Sequence, residues 1–246
     1  MSILGTLQHI SFIYKEGRST LQHVSFIYKE GCSTLQHVSF IYKEGRSTLP
    51  PFAALISKFH NNFACHHTPK SVTESLRWWE AVLEHSDCSC SLMPHQTIDP
   101  HIWVDVSTSW GIGIIYGDLW YAWSLRPGWK AKGRDIGWAE SIALELAVLI
   151  LVDEGYHDCS IIIRGDNTGI IGAYNKDRSH NIPHNKCICR ITSSIVPNNI
   201  LIVPIYVASA LNREDPISHG IFGSPYLCVV LPPALPLELS GLLYNV

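Results

Sequence analysis

Residues 101–123 read HIWVDVSTSWGIGIIYGDLWYAW, and no other stretch constrains the chain as tightly. It predicts two antiparallel strands and the start of a third, with turns at 107–109 and at Gly117-Asp118. In the first run Ile102, Val104 and Val106 share one face, and Trp103, Asp105 and Ser107 share the other. Alternate side chains of a strand point to opposite faces. Asp105 is therefore a carboxylate in the middle of an apolar strand. Asp is depleted in strands and is seldom buried without a partner. A chain that keeps one there needs either a local hydrogen-bond partner for it or a use for its charge.

The pattern after this stretch is that of an α/β domain. Strands are expected at 101–107, 110–117 and 119–125, followed by a basic, Trp-containing loop at 126–133. A long helix at 135–154 follows, with Ile142, Ala143, Leu146, Val148, Leu149 and Val152 as its apolar face. The fully apolar run 159–164 reads as a central parallel strand. Helices at 167–175 and 187–195, a strand at 200–207 and a short helix at 214–222 complete the order. His180, Pro183 and His184 fall in a polar loop. Alternation of strands and helices on this scale predicts a sheet with helices packed on it.

Upstream the character differs. Residues 7–48 are three copies of a 14-residue unit, LQHISFIYKEGRST, LQHVSFIYKEGCST and LQHVSFIYKEGRST. The unit is shorter than known solenoid repeats, and its periodicity fits a helix or a strand equally. Short helices are expected at 52–59 and 71–86, the second with Leu76, Trp79, Val82 and Leu83 as its apolar stripe. A linker at 87–100 contains Pro94 and Pro100, which disfavour regular structure. The Pro- and Leu-rich segment 223–246 reads as a loosely docked tail without chemistry of its own.

Composition bounds the function. A net charge of −3 excludes a protein that coats nucleic acid but allows an enzyme with a local basic groove. No charged leader with an apolar core opens the sequence. With that, the eight Cys predict free thiols in a reducing, intracellular setting, cytoplasm or nucleus and not secreted. Cys88-x-Cys90 and Cys187-x-Cys189 have one-residue gaps, unlike the spacing of zinc motifs. No run of about 18 apolar residues predicts a membrane span.

Three more carboxylates join Asp105. Glu140 lies in the first turns of the long helix, Asp166 follows the apolar strand, and Asp215 opens the last helix. Strand ends and helix starts gather at one edge of an open α/β sheet. Carboxylates gathered there repel one another unless cations neutralise them, and hard oxygen ligands suit Mg²⁺ or Mn²⁺. Two such ions about 4 Å apart can serve phosphodiester hydrolysis.

On these residues the segment 101–222 resembles the ribonuclease H domain of retroelement reverse transcriptases, in the branch found in DIRS-type retrotransposons. Asp105-Val106-Ser107-Thr108 with Gly111-Ile112-Gly113 is similar to its first motif. Ile136 through Glu140 to Ala143 is similar to the second, and Arg164-Gly165-Asp166-Asn167 through Tyr174 to the third. Asn212-Arg213-Glu214-Asp215-Pro216-Ile217-Ser218-His219 is similar to the last, with Glu214, His219 and Val106 departing from the usual residues. Leu4 through Leu7 and Gly45 through Pro50 resemble the polymerase thumb, and Arg77-Trp78-Trp79 resembles the connecting segment. No Y-x-D-D palm motif occurs.

The resemblance implies a ribonuclease H-like fold, a mixed five-stranded sheet flanked by helices, after a mainly helical N-terminal segment. It implies a thumb-like remnant at 1–60, a connecting helix and linker at 61–100, the domain at 101–222 and a tail at 223–246. Asp105, Glu140, Asp166 and Asp215 would be its catalytic and metal-binding residues, holding two Mg²⁺ or Mn²⁺ ions. The partner would be an RNA–DNA hybrid, cut in its RNA strand and told from DNA by contacts to the 2′-hydroxyl. Arg126, Trp129, Lys130, Lys132 and Arg134 form the loop expected to track its backbone. Glu145 is a second candidate for the helix carboxylate. It lies roughly 140° around the helix from Glu140, so only one of them can face the site. A catalytically decayed relic that keeps the fold and at most binds nucleic acid is the alternative reading.

Overall fold

The computed structural model describes residues 35, 43–59, 66–84, 96–175, 179 and 181–246. The first two copies of the repeat, half of the third, and the Cys88-x-Cys90 pair lie outside the described residues. The chain divides into two compact units, Met1–Leu92 and Met93–Val246.

In the first unit a 3-10 turn at Lys43–Thr48 leads into α1 (Pro50–Ile56), and α2 (Lys70–Glu84) follows. Proline in the first turn starts α1 without losing a helical hydrogen bond. Leu35, Phe52, Leu55, Phe59, Val72, Leu76 and Trp79 form a small core. The Trp79 indole N–H donates to Thr48 Oγ1 at 2.7 Å, and that hydroxyl donates to the Gly45 carbonyl at 2.7 Å. The buried tryptophan is thus polar-satisfied.

The second unit is a mixed sheet flanked by helices. Its strands are β1 (Thr97–Val106), β2 (Gly111–Tyr116), β3 (Leu119–Leu125), β4 (Cys159–Gly165), β5 (Ile200–Tyr206) and β6 (Leu243–Asn245), in the order β5-β4-β1-β2-β3-β6. β1, β2 and β3 are antiparallel neighbours, β4 runs parallel to both β1 and β5, and β6 is antiparallel to β3. The expected five strands have a sixth beside them. The tail is not loosely docked: Tyr244 pairs with Ser124, and Leu239 and Leu243 are buried in the core.

The expected linker also gives way to structure at its end, since β1 begins at Thr97 and passes through Pro100. A register shift against β4 between Ile98 and Ile102, with His101 at φ 55°, absorbs the proline. A bulge is where a strand tolerates a residue without an N–H.

The central helix α3 (Ile136–Asp153) is capped by Asp135, whose carboxylate accepts from Trp138 N–H at 2.9 Å. It is buried on nearly all sides, against β1 and β2 and against α5 (Ile182–Ile195). Between them lies α4 (Thr168–Asn175). The start of α5 lies ahead of the expected 187, within the supposed polar loop. Asn181 caps it, accepting from His184 N–H, and Pro183 occupies its first turn.

The expected helix at 214–222 is only α6 (Asp215–Ser218). Gly220 at φ 78° ends it in a Schellman arrangement, with Gly220 N–H to Ile217 O and Ile221 N–H to Pro216 O, both at 2.9 Å. The last helix, α7 (Leu237–Ser240), leads into β6.

The core lies on one face of the sheet. Val104 pairs with Ile114 and that with Tyr121, while Val106 pairs with Ile112 and that with Trp123. All six side chains are buried with those of α3. The opposite face carries Asp105, paired with Gly113, which in turn pairs with Ala122. There Trp120, Ala122 and Ile217 form a separate cluster.

Candidate metal centre

Pairing between β1 and β4 extends to Trp103 and Arg164 and stops. Beyond that point the C-terminal ends of two parallel strands part, which is where open α/β sheets place their sites. Asp105 lies past the split on β1, Asp166 directly follows β4, and Glu140 comes in from α3. One carboxylate oxygen from each lies within 4.8 Å of those of the other two. This is the group of His, Cys, Asp or Glu side chains able to hold a metal ion among the described residues.

Burial makes the cluster electrostatically costly. Asp105 is 5% and Glu140 8% exposed. Burial pushes the Glu140 carboxyl up to about 9, with the charges of Asp105 and Asp166 adding to the shift. Burial also raises Asp105, against the opposing hydrogen bond from Ser218 and with the help of Asp166 and Asp215. Three carboxylates with hard oxygen donors fit Mg²⁺ or Mn²⁺, whose charge would offset their mutual repulsion.

Asp105 is oriented by two neighbours from the segment around α6. Ser218 Oγ donates to Asp105 Oδ2 at 2.5 Å, and Asn212 Nδ2 lies 3.4 Å from Oδ1 and 3.2 Å from the Val104 carbonyl. Ser218 Oγ is also 2.9 Å from Asp215 O. A hydroxyl has one proton, and the carboxylate is the closer acceptor. Ser209 Oγ donates to Asp166 Oδ2 at 2.5 Å. Asn212 and Ser218 belong to the last sequence motif, but sequence alone gave them no role; Ser209 carried no signal.

Asp215 stands apart from this trio. Its side chain is 52% exposed and lies 3.8 Å from the His219 ring. Its neighbour Glu214, read as a mere departure from the motif, is fully buried. Glu145 is turned away: both its oxygens accept from Arg190, at 2.6 and 2.7 Å.

The loop expected to bind nucleic acid divides in two. Trp129 is buried, 6% exposed, and stacks on Trp138 with centroids 5.9 Å apart. Arg134 Nε donates to the Trp129 carbonyl, and Arg126 lies 3.7 Å over the Tyr244 ring and donates to Leu243 O. These three hold the loop to the body. Lys130 and Lys132 are exposed. A single Trp-containing basic loop gives no sequence signal for which of its members face inward.

His184, near the Cys187-x-Cys189 pair, is bonded to Asp135 at 2.7 Å, and Cys159, Cys187 and Cys228 are free thiols. No helix among the described residues is long and apolar enough to cross a membrane. No family model, curated protein or solved structure matches the chain.

Proposed function

We propose that the second unit is a ribonuclease H-like domain of retroelement origin that hydrolyses the RNA strand of RNA–DNA hybrids. The observation that carries the reading is the convergence of Asp105, Glu140 and Asp166 at the split between β1 and β4. Their elements follow one another in the order that the motif resemblance requires. The N-terminal unit, with its Gly45-Arg46 turn running into α1, supports reading that part as a thumb and connection remnant.

Asp105, Glu140 and Asp166 would hold Mg²⁺ or Mn²⁺, two ions in the full reading. When bound, divalent metal activates water and stabilises the leaving oxygen of a phosphodiester. The chain's own contribution is to fix these donors. Ser218 and Asn212 hold the Asp105 carboxylate, and Ser209 holds Asp166. In this reading Lys130 and Lys132, both exposed, would meet the phosphate backbone of the hybrid.

The test is cleavage of a labelled RNA–DNA hybrid by the full chain with Mg²⁺, with Mn²⁺ and with chelator, beside an Asp105→Asn control. Metal-dependent cutting of the RNA strand, lost in the control, is expected. A folded chain that cuts under neither metal overturns the enzymatic reading and leaves the relic.

A further inference from the structure

We propose that Glu214, not Asp215, supplies the fourth carboxylate of the metal centre. The inference rests on the metal-centre reading above and names a ligand that the sequence motif does not.

Glu214 is 0% exposed, and neither carboxylate oxygen has a hydrogen-bond partner. A buried polar group left unsatisfied costs about 1–3 kcal/mol, and more when charged, so an orphaned carboxyl calls for an explanation. Its position gives one. Gly113 is directly opposite Asp105 across the β1–β2 pair, and opposed residues of an antiparallel pair present side chains to the same face. A Cβ on Gly113 would collide with the Glu214 carboxylate. The Glu214 side chain thus fills the space beside Asp105 that the missing side chain leaves, on the face where Asp105 points.

The charges that act on it are those of Asp105, then Asp215, then Glu140, two of which belong to the trio. No hydrogen-bond donor among the described residues reaches either oxygen. A cation held by Asp105, Glu140 and Asp166 would offset their repulsion, and as a further ligand Glu214 would have its orphaned oxygens satisfied by the same ion. Asp215, half-exposed and directed to His219, lacks both features. Adjacent residues at the start of a helix point in different directions, about 100° apart, so one of the pair faces the sheet and the other faces solvent.

The experiment is calorimetric titration of the metal-free full chain with Mn²⁺ alone, with the Mn²⁺-induced rise in Tm as a second readout. The variants are E214Q, D215N and D105N. E214Q preserves the side chain's shape and removes its charge. The expected result is an affinity for Mn²⁺ about tenfold or more weaker in E214Q, lost in D105N, and changed less than about threefold in D215N. E214Q binding as tightly as wild type, while D105N does not bind, overturns the inference and leaves the metal centre standing. Absence of Mn²⁺ binding by wild type overturns both. If E214Q melts early without metal, E214D takes its place: it keeps the charge and withdraws it by one methylene, and it is expected to weaken Mn²⁺ while wild-type affinity in E214D overturns the assignment.

Discussion

Arg190 meets Glu145 in a two-point fork, Nε to Oε1 at 2.6 Å and Nη2 to Oε2 at 2.7 Å, with the Glu145 side chain 2% exposed. The pair bolts α5 to α3 and takes Glu145 out of contention for the metal centre. Burial raises Glu145 while Arg190 opposes the shift, so the guanidinium is what makes a charge tolerable there. Breaking a buried pair by removing one partner costs about 3–5 kcal/mol. Glu145→Ala is therefore expected to lower unfolding free energy by that order in urea titrations, while the folded variant keeps wild-type Mn²⁺ affinity. Loss of Mn²⁺ binding with unchanged stability would reverse the two glutamates' roles.

Ser218 and Asn212 both hydrogen-bond the Asp105 carboxylate of the candidate metal centre. Partners that orient a metal-binding carboxylate typically matter by about 10- to 100-fold in affinity. Ser218→Ala and Asn212→Ala are each expected to weaken Mn²⁺ binding by about tenfold, read by calorimetry, with a smaller loss of thermal stability. Unchanged affinity in both would mean that Asp105 holds its rotamer without them.

The raised carboxyls make stability depend on pH in a definite direction. Glu140 and Glu214 are held up to about 9 and about 10, against 4.5 for an unperturbed Glu. In that window the folded chain retains protons that the unfolded chain releases, so stability falls as pH rises. In chelator, the Tm is expected to decline as pH is raised from near 4.5 toward 9 and above. The double variant E140Q/E214Q should flatten that decline, because neither side chain can then ionise. A slope that survives the double substitution would place its origin elsewhere.

The basic loop gives two separable outcomes. Trp129→Ala removes a core ring packed on Trp138, and large aromatic deletions cost about 3–5 kcal/mol. It should lower Tm. Lys130→Ala and Lys132→Ala should leave Tm unchanged and weaken hybrid binding, each reducing the slope of log affinity against log salt by about 1. An unaltered salt slope in the double Lys variant would remove the loop from the interface.

The alternation around Asp105 was legible because Ile102, Val104 and Val106 of β1 enter the main apolar core while the other face carries Trp103 and Asp105, so the period-two pattern survives in the sequence. Helix geometry allowed only one of Glu140 and Glu145 to face Asp105, and the motif spacing of Glu140 near the helix start chose between them. Other features were hidden for identifiable reasons. Pro183 looked like a loop residue, yet the first turn of a helix has no use for the N–H that proline lacks. Pro100 looked like a break, but a bulge at His101 accommodates it. Glu214 looked like a blemish in a motif, because its significance depends on empty space above Gly113, across a strand pair that no local pattern encodes. Tyr244 and Leu243 belong to a strand of three residues, too short for periodicity to register.

That short strand covers the outer edge of β3, pairing Leu125, Ser124 and Trp123 with Leu243, Tyr244 and Asn245. An uncovered edge offers a row of free N–H and C=O groups to any passing strand. Trimming the chain after residue 222 therefore does more than remove a tail. It turns β3, with its run of Trp120, Tyr121 and Trp123, into a template on which copies of the protein can add to one another. Fragments cut to the motif-bearing residues alone are headed for self-association, and solubility during expression depends on a segment that carries no catalytic residue.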